Sequence, residues 1–398
     1  MSPPITDLLE AALEIQPSVL AIRRRIHRHP ELGLHLPETQ ETIVEELERL
    51  GLKPRRGKDL SSVTAVIGEG RPGRTIVLRG DMDALPLHED TGLDFTSEVD
   101  GAMHACGHDT HVAMLLGAAR LLVDRVDQLP GPVILMFQPG EEGFAGARVM
   151  LEEGLLDGLD PAATRAFAIH IDAEYGTGQI RLRPGTLLAS ADNIFVIVHG
   201  RGGHASQPHL ALDPIPVAAE IILALQTAVT RRVDVFDPAV LTIAHLTAGT
   251  THNIIAPIAK LEGTYRTLTP ERRAAMGPLI RQVVDGVCAA HGLTADVELQ
   301  PVYPPTINDR LAYDLVREIT IGLIGEDDMI PMPNPIMGAE DWSYVLEKIR
   351  GVMAFLGARP RGTPLEGFAM NHSNVVVFDE DALPVGVALY AKVALELT

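Results

Sequence analysis

No apolar run in this 398-residue sequence approaches the ~20 residues that a membrane helix requires. The longest, such as Val133-Ile134-Leu135-Met136-Phe137, have the length of a strand. The spacing of these short runs constrains the fold most. Runs at residues 63–67, 75–78, 133–137 and 167–171 read as buried strands, and stretches with helical spacing at 18–28, 39–50 and 112–123 lie around them. Strands separated by helices of this size pair in parallel, with helices on both faces. The expectation is an α/β fold with a mixed, mostly parallel sheet.

The pattern changes near Ser190. An alternating strand at 193–199 leads through a Gly-rich turn to a helix at 216–229, strands at 240–246 and 259–265, and a helix at 271–290. That order describes a compact α+β unit. After Pro304-Pro305 the earlier alternation resumes, with helices at 311–324 and 341–348, strands at 352–356 and 375–378, and a last helix at 382–397. The expected organisation is a discontinuous α/β domain, residues 1–189 and 304–398, carrying an inserted α+β domain, residues 190–303. No internal repeat appears.

Charge and cysteine usage narrow the function. Asp and Glu number 53 against 33 Lys and Arg, a net charge of −20. Phosphate recognition needs a basic footprint, so nucleic acid is excluded as a partner. The two cysteines, Cys106 and Cys288, leave no disulfide framework and indicate a reducing compartment. The N-terminal segment has acids where a signal peptide has Lys or Arg. The expectation is a soluble, cytoplasmic protein without a membrane partner.

The densest polar cluster is Met103-His104-Ala105-Cys106-Gly107-His108-Asp109-Thr110-His111. In an extended loop, Cys106 and His108 can converge on one ion across Gly107, and a thiolate with an imidazole suits zinc. The competing reading is a buried free cysteine with surface histidines. Further on, Glu141 and Glu142 stand just past the strand ending at Phe137, where open parallel sheets bind ligands, although adjacent acids in a loop also form solvated faces. His170 lies within an apolar run, where a satisfied core histidine is the plain alternative. Asp81 and Asp83 follow the strand at 75–78, and His372 precedes the strand at 375–378. Together these residues put Cys, His and Glu at the ends of successive strands, as a metal centre requires.

The ordered segments GDMDALP, HACGHDTH, QPGEEG, GRGGHASQPH, GAEDWSY and NHS resemble the M20 family of metallopeptidases, in particular its amidohydrolases of N-acyl amino acids. Arg24-Arg25-Ile26-His27-Arg28-His29-Pro30-Glu31-Leu32 is similar to the same branch, so the resemblance covers essentially the whole chain. It implies two divalent ions, zinc first with manganese or cobalt as alternatives, held by Cys106, His108, Glu142, His170 and His372, with Cys106 bridging. It implies that Glu141 is the general base, passing a proton from a metal-activated water to the leaving nitrogen, and that Asp83 orients a ligand imidazole behind the ligands. In other branches a histidine ligand stands where Asp81 is here, a role His108 takes over. The inserted domain becomes a lid and dimerisation domain: His204 stabilises the oxyanion, and Asn253 and Arg266 hold the substrate carboxylate.

Two of these carry-overs have plain alternatives in the residues themselves, a surface histidine for His204 and a cross-strand ion pair for Arg266. The run after His170 is more acidic than the family pattern and lacks its proline. The implied activity is hydrolysis of N-acyl amino acids to a carboxylic acid and a free amino acid by a homodimer. The alternatives are a dipeptidase, an N-deacetylase or a non-catalytic metal-binding protein. His104 and His111 are assigned to the ligands' surroundings or to solvent, His27 to helix packing or the surface, and Cys288 to a core.

Overall fold

The computed structural model describes residues 8–364 and 366–397, so the first seven residues of the N-terminal segment lie outside it. The chain divides into two compact units: Met1–Leu187 with Ile307–Asn334 and Asp341–Thr398, and Leu188–Thr306 with Pro335–Glu340.

The first unit begins with α1 (Leu8–Arg28) and α2 (Pro37–Arg49), followed by β1 (Arg55–Arg56), β2 (Val63–Ile67) and β3 (Thr75–Asp81). Then come α3 (His108–Val123), β4 (Val133–Gln138), α4 (Gly146–Glu152), β5 (Thr164–Gly176) and β6 (Ile180–Leu182). The sheet runs β1-β2-β4-β3-β5, then the strand Arg350–Arg359, then β6 and the strand Met329–Pro331. Its centre, β4-β3-β5 and Arg350–Arg359, is parallel, and the β1-β2-β4 side is antiparallel. This is the mixed sheet expected. β3 and Arg350–Arg359 are buried almost without alternation, as strands covered on both faces must be. α3 and the helix Leu383–Glu396 are buried nearly all round and share one core with the sheet.

One break in this sheet positions everything that follows. β3 pairs with β5 only as far as Arg79 opposite Ala168. β3 stays with β4 up to Asp81 opposite Gln138, and β5 stays with Arg350–Arg359 past Asp172. The sheet therefore forks at its carboxyl end, between β3 and β5.

The second unit is a four-stranded antiparallel sheet in the order Ala239–Ala248, Ile258–Thr267, Ala191–His199, Thr294–Tyr303. Ile194, Val196 and Val198 pack with Val217, Ile221 and Leu225 of the helix Pro214–Arg232, and with Met276, Ile280 and Val284 of the helix Pro270–Ala290. Cys288 lies in this core, as expected.

Several expected elements need correction. α3 starts at His108 rather than at 112, because Gly107 serves as a left-handed N-cap (φ +82°). Cys106 and His108 therefore converge across a helix start, not across an extended loop. α1 begins at Leu8 and runs through Pro17. The helix at 341–348 is one turn, Ser343–Leu346. Residues 375–378 form no strand, although Val376 and Phe378 are buried. The edge strand Thr294–Tyr303 was not anticipated: its apolar positions are few, half-buried and interrupted by Pro301, a residue that a sheet tolerates at an edge.

Candidate metal centre

The functional side chains of the first unit collect at the fork. β3 delivers Asp81 and, just beyond, Asp83; the turn after β4 delivers Glu141 and Glu142; β5 delivers His170; the start of α3 delivers Cys106 and His108. Gly107 makes this possible. A Cβ there would lie 2.4 Å from Cγ2 of Ile171 and 3.1 Å from the Phe378 ring. His372 adopts φ +69°, a left-handed conformation costly for a side chain with a Cβ, and is held there by its N–H bond to the Ala105 carbonyl (2.8 Å).

Two donor groups share Cys106. Cys106, His108 and His170 present ligand atoms within 4.8 Å of one another, and so do Cys106, Glu142 and His372. Donors about 2.0–2.3 Å from a zinc-sized ion stand roughly 3.5 Å apart, so both groups have the right dimension. The tautomer of His170 fits as well. The His170 Nδ1–H donates to the Ile171 carbonyl (2.6 Å), leaving Nε2 facing the Cys106 sulfur at 3.4 Å. Burial, with His111 close by, holds the His170 pKa well below its ordinary value, so the imidazole is neutral. Among the described residues neither ring nitrogen of His108 has a hydrogen-bond partner although the residue is fully buried, and oxygens of Asp81 and Asp83 stand at 3.5 Å. Burial pushes the Cys106 thiol up, so a thiolate there needs a cation beside it. These residues fit a pair of divalent ions.

A third group, Asp81 with His108 and His111, has similar dimensions but different bonding. Asp81 already meets Arg79 (2.6 Å) and His111 Nδ1 (2.5 Å). His111 Nε2 accepts the Ile171 N–H (2.7 Å). Both nitrogens of His111 are committed, so this group supports the centre from behind. Burial works against the ionised carboxylate of Asp81, yet Arg79, His108 and His111 outweigh it and hold the pKa well below the usual range.

Glu141 stands beside both donor groups. Its carboxylate lies within 4.8 Å of a ligand atom of His108 and of Glu142. Asp83 fixes that loop: its two oxygens accept the backbone N–H groups of Glu141 and Glu142, each at 3.0 Å. Thus Asp83 meets two peptide groups besides its position at the His108 ring. His372 leaves 56% of its side chain accessible while His108 has none, so the centre opens to solvent on one side, as a catalytic site requires and a closed structural site does not.

With this geometry in place, the comparisons with known proteins are decisive. Residues 77–396 match Peptidase family M20/M25/M40. The chain belongs to this family. Thermostable carboxypeptidase 1 of Saccharolobus solfataricus is 39% identical over 391 residues, covering 97% of this chain and 96% of the relative. IAA-amino acid hydrolase ILR1-like 2 of Arabidopsis thaliana is 37% identical, covering 98% of this chain and 88% of the relative. The crystal structure of the Bacillus subtilis YXEP protein, described as a dinuclear metal binding peptidase from the M20 family, matches with a TM-score of 0.82 at 32% identity, over 96% of this chain and 98% of that one. This M20 protein is accordingly an enzyme, a metal-dependent hydrolase of amide bonds.

In the second unit, the backbone brings His204 and Asn253 together. His204 pairs with Ile254 in a short antiparallel ladder, and the Ala205 N–H donates to the Asn253 carbonyl (3.1 Å). His204 Nδ1 accepts the Ser206 N–H (3.1 Å) and meets its hydroxyl (2.8 Å), which fixes the ring. Arg266 lies on the strand Ile258–Thr267 opposite Val240. Among the described residues no carboxylate lies within salt-bridge distance of Arg266; Asp192, paired with Arg273 at 2.7 Å, acts on it only from further away.

The sequence reading passed over one network. His27 is buried and bridges two carboxylates, with Nδ1 2.8 Å from Asp109 and Nε2 3.2 Å from Glu89, and Arg23 pairs with Asp109 at 2.7 Å. Asp109 sits in the first turn of α3, where a negative charge is favoured. The signal was present in the spacing: Arg23 and His27 are four apart on one helical face.

Proposed function

We propose that the protein hydrolyses the amide bond of N-acyl amino acids, releasing a carboxylic acid and a free amino acid, with Glu141 as general base. The observation that carries this reading is the position of the Glu141 carboxylate beside both donor groups, on a loop that Asp83 holds by two backbone bonds. Cys106, His108 and His170 would hold one ion, and Cys106, Glu142 and His372 would hold the other. Zinc suits a donor set of thiolate, imidazole and carboxylate, with manganese or cobalt as alternatives. Such a pair supplies Lewis acidity for the scissile carbonyl and lowers the pKa of the attacking water. Glu141 takes the proton of that water and delivers it to the leaving nitrogen, while Glu142 remains bound as a ligand.

The second unit is read as a lid. His204, its Nδ1 engaged by Ser206, keeps Nε2 for the developing oxyanion. Asn253 and Arg266 bind the substrate carboxylate, and a guanidinium with no carboxylate at salt-bridge distance among the described residues supports that role. The same unit is the proposed homodimer contact; Leu223, Val235 and Phe236 expose apolar side chains there, Phe236 almost completely. Among the described residues no helix is long and apolar enough to cross a membrane, and both thiols are free and buried, which supports a cytoplasmic setting.

The 39% identity to a carboxypeptidase favours a second reading within the same chemistry, cleavage of short peptides. An N-deacetylase differs only in its acyl group. The test is a hydrolysis screen of N-acetyl, N-benzoyl and longer N-acyl amino acids and dipeptides, after chelation and after adding back Zn, Mn or Co. Turnover of N-acyl amino acids that disappears with chelator and returns with metal is the expected result. No cleavage of any of them under any metal would overturn the proposal.

A further inference from the structure

The fork between β3 and β5 is filled by two side chains that the proposed reaction does not use. Where the ladder stops, the Tyr390 hydroxyl donates to the Arg79 carbonyl (2.6 Å) and accepts the Ile169 N–H (3.0 Å). It thereby replaces the first missing rung. His111 stands one rung further out, between Asp81 on β3 and Ile171 on β5. Because the Ile171 N–H donates to Nε2, that nitrogen carries no proton. The proton is on Nδ1 and goes to Asp81, whose other oxygen meets Arg79. Burial holds the His111 pKa below its ordinary value, in keeping with this neutral tautomer.

His111, Asp81 and Arg79 are all fully buried, so none of these bonds can be exchanged for water without opening the fork. Gly80 lets the wedge enter: a Cβ there would stand 3.0 Å from the His111 carbonyl oxygen. The His111 ring touches both the His170 and the His108 rings, with centroids 4.9 and 5.4 Å away, and those two lie 6.0 Å from each other. Ile171 is gripped at both backbone groups. Its N–H is held by His111, and its carbonyl takes the His170 Nδ1–H and the Asn371 amide (3.0 Å).

We infer that His111 is a positioning residue: a neutral wedge, backed by Asp81 and Arg79, that sets the separation and direction of His108 and His170, the two imidazoles proposed to share one ion. The inference rests on the ligand assignment above. It makes the two ions unequal: among the described residues no hydrogen bond, ion pair or ring contact joins Glu142 or His372 to the wedge, so the ion they would hold with Cys106 depends on it less.

His111→Phe keeps a ring but loses both the donor and the acceptor. Metal-free parent and variant are titrated with Co2+ and counted by elemental mass spectrometry, and hydrogen exchange is followed in the segment 169–175. The parent is expected to bind two ions. The variant should hold one at parental affinity and the other about 10- to 100-fold more weakly, the usual cost of removing a partner behind a ligand. Exchange in 169–175 should accelerate while β4 is unchanged. Should His111→Phe fail to fold, Asp81→Asn carries the same expectation, as it weakens the support of the wedge. Equal weakening of both ions, or of neither, with unchanged exchange in 169–175, overturns the inference. If the parent itself binds no divalent ion, the ligand assignment falls, and hydrogen exchange alone decides whether His111 holds the fork.

Discussion

Asp83 accepts the backbone N–H of Glu141 at 3.0 Å, so the proposed base owes its place to a carboxylate that itself touches no reacting atom. The other oxygen of Asp83 takes the N–H of Glu142. Asp83→Ala releases both peptide groups together and should lower kcat about 10- to 100-fold, with weaker ion binding. Asp83→Asn, which keeps one acceptor oxygen, should fall between the two. Steady-state kinetics with ion content measured on the same samples checks this, and a parental kcat in Asp83→Ala would count against it.

Glu141→Gln separates the base from the ligands. The side chain keeps its size, so both donor groups remain and two ions should still bind. Turnover should fall about 10²- to 10⁴-fold, the usual share of general acid–base catalysis. Substantial retained activity at full ion occupancy would remove Glu141 from its role.

Gly107→Ala adds one methyl group at a left-handed position, against Ile171 and the Phe378 ring. The expected cost is about 1–3 kcal/mol from overpacking, plus backbone strain. Because Gly107 lies between Cys106 and His108, ion affinity should fall together with the melting temperature. A variant as stable as the parent would show that the loop relaxes freely.

His27 supplies a pH dependence remote from the ligands. Burial opposes its charge, but Asp109 and Glu89 outweigh burial and raise its pKa above the ordinary value. A histidine raised in the folded state contributes stability that is complete below about pH 6.5 and is lost as pH climbs through the folded pKa. The difference in melting temperature between the parent and His27→Gln should therefore shrink from pH 6 to pH 9. Thermal unfolding at fixed ionic strength tests it, and a constant difference would refute the assignment.

How much of this was legible in the sequence follows from the range of the forces involved. β2 was read to the residue, because the alternation of its side chains is a local signal. The candidate metal cluster was legible because cysteine, histidine and glutamate are rare together at strand ends. The start of α3 was missed because it depends on Gly107 taking a left-handed conformation against Ile171, a residue more than sixty positions away. Similarly, His27 and His111 look like any helical histidines until Glu89, Asp81 and Ile171 arrive from elsewhere in the chain. Periodicity reports which face is buried. It does not report the partner that a buried polar group meets.

The placement of Arg350–Arg359 between β5 and β6 has a consequence during synthesis. The two strands that flank it, β5 and β6, lie far earlier in the chain, so this place in the sheet is filled late in synthesis. Until then β5 presents an unpaired parallel edge, a surface prone to wrong pairing. His372 follows that late strand, so this proposed ligand and the missing strand of the sheet become available almost together.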